Sequence, residues 1–120
     1  MPVTLRIRAA QMAVFSGRAE RTFEDWMTGH LKTFFPRQCD ALGEAGIHEI
    51  IQYGRKRASQ HGFRTTSDVC KYIDLMIALG RDFDTDARIP WAADILARSG
   101  DRSATMRALF AAASRHLKRQ

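Results

Sequence analysis

A chain of 120 residues with 45% hydrophobic and 27% charged residues has the size and composition of one globular domain, which sets intrinsic disorder aside. Its net charge of +6, gathered in basic patches, suits an anionic partner and solvated helix faces equally, and no apolar run approaches the roughly 18 residues needed to cross a membrane. The opening Met1-Pro2-Val3-Thr4-Leu5-Arg6 lacks the apolar core of an export signal, so the expected location is the cytoplasm, with Cys39 and Cys70 reduced and buried.

Apolar residues recur at steps of three or four from the start: Met12, Phe15, Ala19, Phe23, Met27, Leu31, Phe34. That is one stripe on a long helix over residues 8–35, with a weak point at Ser16-Gly17 and a stop imposed by Pro36. A helical turn over 39–42 precedes a second long helix over 43–60, whose stripe is Ile47, Ile50, Ile51, Gly54 and Ala58. Gly54 on that face implies close packing against another helix. Gly62 supplies a left-handed cap, and Phe63 the apolar contact that follows such caps.

Thr65-Thr66-Ser67-Asp68 pairs a hydroxyl cap with an acid in the first turn and opens a third helix over 67–79. This helix is apolar on most sides, which places it centrally. Gly80 ends it. Pro90 begins a short fourth helix with Trp91, Ile95 and Leu96, ending near Gly100. Asp101 or Ser103 caps a fifth, with Met106, Leu109, Phe110, Ala113 and Leu117 as its stripe. No segment alternates with the period of a strand. The fold expected is an all-α bundle of about five helices in a single domain, residues 1–120.

Between the third and fourth helices lies Asp82-Phe83-Asp84-Thr85-Asp86-Ala87-Arg88-Ile89-Pro90. Its spacing of acids resembles the start of a calcium loop. An EF-hand requires glycine at position six and a bidentate glutamate at twelve, and here those positions are Ala87 and Ala93. No metal is therefore expected. The structural role is for Asp84 or Asp86 to cap backbone N–H groups while Phe83, Ile89 and Trp91 anchor the loop in the core. Recognition by Asp82, Asp84, Asp86 and Arg88 is the functional option attached to it.

The remaining chemistries have little support. His30, His48, His61 and His116 fit no ligand motif, Cys70 sits on the buried helix, and there is no glycine-rich phosphate loop, so neither an enzyme nor a cofactor is expected. Residues 50–79 look superficially like a helix-turn-helix, but a buried recognition helix cannot read bases. Two basic clusters, Arg55, Lys56, Arg57 and Arg64, then Arg115, Lys118 and Arg119, leave backbone-directed nucleic-acid binding as the runner-up.

The order of motifs is itself informative. Gln11-Met12 precedes Phe15, then come Phe34-Phe35-Pro36, Leu42-Gly43-Glu44-x-Gly46, Tyr53-Gly54 and Ser67-Asp68-Val69. Tyr72-Ile73-x-Leu75-Met76, Leu79-Gly80-x-Asp82-Phe83-Asp84 and Pro90-Trp91-Ala92 complete the series. This pattern resembles a group of small, uncharacterised bacterial proteins encoded near type VI secretion effectors, among PAAR-repeat, Rhs or lipase-type genes. The resemblance spans nearly the whole chain and carries no catalytic motif. It implies a non-enzymatic protein-binding role, as an accessory or adaptor that loads an effector or spike component, or as an immunity partner. The absence of an export core favours a cytosolic target or an accessory role.

Overall fold

The computed structural model describes residues 16–119, with side chains from Arg21 onwards. Among these residues it is all-α. Five helices carry the chain: α1 Ser16–Phe34, α2 Pro36–Gln60, α3 Thr66–Leu79, α4 Pro90–Leu96 and α5 Arg102–Lys118, with a 3-10 turn at Phe83–Thr85. No strand is present among the described residues, and none of these helices is long and apolar enough to cross a membrane. The expected start of the first helix, with Met12 and Phe15, lies outside the described residues, as does the side chain of Ala19. The chain divides into two compact units, the first ending at Tyr53 and the second beginning at Gly54, within α2.

In the first unit, Phe23, Met27 and Leu31 form the buried stripe of α1 that their spacing predicts. Phe34 does not continue it. It is 66% exposed, because the helix ends there and its ring packs along the helix surface on His30, 4.9 Å away, in series with Trp26. Phe35 leaves the helical region ahead of Pro36 as expected. Pro36 then serves as the first residue of α2, so helix begins earlier than the turn expected at Cys39. The interruption falls at Gly43, whose φ of 73° is open to glycine at little cost and kinks α2. Lys32 and Glu44 pair at 2.7 Å across the two helices, Gln52 donates to Glu24 at 3.0 Å, and His48 also meets Glu24.

In the second unit, α3 and α4 both pack on α5, and the 3-10 turn packs on α3 and α4. Gly54 permits one of the closest contacts. A Cβ there would lie 2.6 Å from Ile73 Cγ1 and 2.9 Å from Met76 Sδ, so the backbone of α2 sits directly on two α3 side chains. The C-terminus of α2 is a Schellman cap: Phe63 N–H donates to Ala58 O at 2.9 Å and Gly62 N–H to Ser59 O at 3.0 Å. Gly62 takes φ 87°, and Phe63 is buried as the apolar partner of that motif.

Thr65 caps α3 by accepting from Asp68 N–H at 3.1 Å, and Tyr72, Ile73, Leu75 and Met76 are buried along it. Asp68 is buried too and accepts from Ser103 Oγ at 3.0 Å, joining the start of α3 to the first turn of α5. The cap of α5 is therefore Asp101, which accepts from Ala104 N–H at 3.0 Å. α4 is shorter than its sequence signals imply. It stops at Leu96, and Gly100 belongs to the connection that follows.

The α5 stripe is narrower than expected as well. Met106, Leu109 and Ala113 are buried, while Phe110 and Leu117 are 36% and 41% exposed. One residue advances an α-helix by about 100°, which turns Phe110 away from the face centred on Leu109. Cys39 and Cys70 are buried free thiols.

Candidate functional site

The connection between α3 and α4 is built from a sharp turn at Gly80, with φ 124°, followed by the 3-10 turn. This geometry directs Phe83 and Asp84 inwards, where both are buried. Ile89 is buried at the far end and Trp91 half-buried, with its ring 5.7 Å from that of His116. The anchors expected from the sequence therefore hold the loop.

The three acids of the loop go separate ways. Asp82 is exposed. Asp86 accepts from the backbone N–H of Arg88 at 2.9 Å and from its guanidinium at 2.8 Å, an exposed local clamp that holds the Asp86 carboxyl below its ordinary range. Asp84 is not at the surface, as a partner-binding residue would have to be. Its side chain is wholly buried.

Three residues, Arg57 from α2, His61 from the turn that caps it and Tyr72 from α3, converge on Asp84. Arg57 donates to its Oδ2 through Nε at 3.0 Å and also through Nη2, His61 Nε2 lies 2.8 Å from the same oxygen, and Tyr72 Oη donates to it at 2.9 Å. An ionised carboxylate offers only lone pairs, so the ring nitrogen of His61 that faces it is the one carrying hydrogen. Oδ1 of Asp84 is buried and takes no hydrogen bond among the described residues. Burial by itself raises the Asp84 carboxyl, but the hydrogen bonds from His61, Arg57 and Tyr72 and the Arg57 charge together outweigh it and hold the group ionised below its ordinary range. The Tyr72 hydroxyl is pushed far up, first by burial and then by the charge of Asp84.

This cluster ties α2, α3 and the 3-10 turn through one oxygen atom. His61, in the turn that caps α2, donates its backbone N–H to Arg57 O at 3.1 Å, so the two side chains stand one helical turn apart and point the same way. That spacing is legible in the sequence; what it faces is not. His61 also stacks at 5.8 Å on Tyr72, and its carbonyl accepts from Arg102 Nη1 at 3.1 Å, while the Arg102 guanidinium lies 5.6 Å from the centre of the Phe63 ring. Cys70, the one thiol of this unit, is pushed up to about 12, first by burial and then by Asp74, which keeps it an inert thiol.

The basic residues divide by the same test. Arg57 is spent on Asp84. Arg55 is half-buried, whereas Lys56, Arg64, Arg115, Lys118 and Arg119 are exposed. The helix-turn-helix reading fails as expected, because the second helix is α3, with Cys70, Tyr72, Ile73, Leu75 and Met76 buried.

A surface cleft lies where the loop meets α5. Leu79 from the end of α3, Asp86, Arg88 and Ile89 from the loop, and His116 and Leu117 from α5 line it. Two of the four loop residues singled out from the sequence, Asp86 and Arg88, thus stand beside an exposed apolar side chain far from them in the chain. The chain matches no family model, no curated protein and no solved structure.

Proposed function

We propose that the chain is a non-enzymatic protein-binding protein whose docking surface is the cleft between the loop and α5. The observation that supports this reading is the composition of the cleft. Leu79, the buried Ile89 and the part-exposed Leu117 line a cleft whose exposed surface is mainly polar, with the Asp86–Arg88 pair and His116 beside them. Apolar anchors rimmed by oriented charge are the usual chemistry of a protein interface. The motif resemblance supplies the biological setting, that of an accessory, adaptor or immunity partner of a type VI secretion effector acting in the bacterial cytoplasm.

Purification of a tagged copy from its native host, with Leu117→Ala and Arg88→Glu variants alongside, tests the reading. The wild-type chain is expected to retain the product of a neighbouring gene, and each variant to lose it. Retention of that product by both variants would remove the cleft from the interaction.

A second reading, backbone-directed binding of nucleic acid, draws on the exposed Lys56, Arg64, Arg115, Lys118 and Arg119. It requires a complex with duplex DNA or RNA that weakens steeply as salt rises. A shift assay at low salt that shows no complex eliminates it.

A further inference from the structure

We infer that the partner segment is an acidic amphipathic helix laid along α5, anchored by Phe110 and Leu117; this deepens the protein-binding reading and rests on it. Phe110 and Leu117 are seven residues apart, two helical turns, so they stand on the same flank of α5 about 10 Å from each other. Each exposes more than a third of its surface. Arg107 lies three residues before Phe110, and Lys118 directly follows Leu117, both exposed. Along the helix axis the order is cation, anchor, anchor, cation over about 16 Å, with Arg107 and Lys118 turned roughly 60–100° from the two anchors, so that the cations border the apolar strip on one side.

The charge on this helix is of one sign. Arg102–Lys118 contains no aspartate or glutamate, and Arg107, Arg115 and Lys118 are exposed with no acidic partner among the described residues. Arg102 is the exception, being committed to the carbonyls of His61 and Arg98 and to Thr105 Oγ1. A partner that buries Phe110 and Leu117 must bring acids to Arg107 and Lys118, or leave two cations desolvated and unpaired. Leu117 also lines the cleft beside Arg88, so the flank of α5 and the cleft form one continuous surface. A helix carrying two apolar residues seven apart, with glutamate or aspartate flanking them, satisfies both requirements.

The test uses the full chain and a synthetic helical peptide of about four turns, with leucines seven residues apart and glutamates around them. Its controls are a twin peptide with lysine in place of each glutamate, and vesicles of phosphatidylglycerol and phosphatidylcholine. The glutamate peptide is expected to shift the amide resonances of α5 between Arg107 and Lys118. Its affinity should fall roughly tenfold for Phe110→Ala with Leu117→Ala, and again for Arg107→Glu with Lys118→Glu. All four positions are exposed, so unchanged melting temperatures show that the variants remain folded.

Equal binding of the two peptides, shifts confined elsewhere, or binding to vesicles without binding to peptide would each overturn the inference. The host protein separates it from the broader reading. If the captured product is released by Arg88→Glu but held by the Phe110 and Leu117 double variant, protein binding stands and the acidic-helix inference fails. If the glutamate peptide docks on α5 while the host yields no partner, the acidic-helix surface stands and the adaptor role fails.

Discussion

Arg57 and Asp84, separated by 27 residues, form an ion pair in which the carboxylate is wholly buried and the guanidinium only about a quarter exposed, with Nε 3.0 Å from Oδ2. Breaking such a pair costs more than the pair contributes, because the surviving charge is left in a medium that cannot solvate it. Arg57→Met should therefore destabilise the second unit by about 3 kcal/mol, the lower end of the range for buried pairs, since water reaches part of the guanidinium. Asp84→Leu strands Arg57 less severely and should cost less. Together the two substitutions should cost less than the sum of the singles, and urea unfolding of all four proteins measures that coupling.

The pH dependence follows from the direction of the Asp84 shift. Its folded carboxyl titrates below the ordinary carboxylate value, so the unfolded chain takes up the proton first as pH falls. The stabilisation from the cluster is complete above the ordinary carboxylate range. It diminishes as pH drops through that range and is gone once pH passes the lowered folded value. Asp84→Asn should lower stability at neutral pH and flatten the acid limb of the stability curve. An acid limb of unchanged slope in Asp84→Asn would assign the acid sensitivity to other carboxylates.

Two glycine substitutions should differ in sign. Gly29 lies in α1 with open space where a Cβ would stand, and Gly29→Ala should stabilise by about 1 kcal/mol through helix propensity. Gly54 is helical too, but its Cβ would press on Ile73 and Met76 at distances that real contacts do not show. Overpacking of that kind costs about 1–3 kcal/mol and outweighs the same propensity gain. Thermal melts of the two variants should move in opposite directions.

Met76 and Arg119 test the core assignment. Met76 is buried on α3, and Met76→Asp places an unpaired charge there, with an expected loss above about 4 kcal/mol. Arg119 is exposed at the end of α5, and Arg119→Asp should stay within about 0.5 kcal/mol. Near-equal melting temperatures for the pair would refute the placement of α3.

The sequence by itself determined the helical class and most helix ends, because those signals are local. Thr65, Asp101, Gly62, Gly80 and Pro90 act on backbone within a turn of themselves, and each does in the structure what its chemistry requires. The stripes of α1, α2 and α3 were legible for the same reason, and Gly54 announced its close contact by lacking a side chain. Only the tertiary structure decided which ends of those stripes reach water. Phe34, Phe110 and Leu117 follow the helical period yet stand at the surface, since a period marks a face and does not say how far a neighbour covers it. It also decided the fate of the loop acids. Asp82, Asp84 and Asp86 are equivalent in spacing, but the turn after Gly80 sends Asp84 to Arg57, His61 and Tyr72 and leaves Asp86 with Arg88. A partner 27 residues away is chosen by how the helices pack, and packing is a property of the whole chain that no window of residues contains.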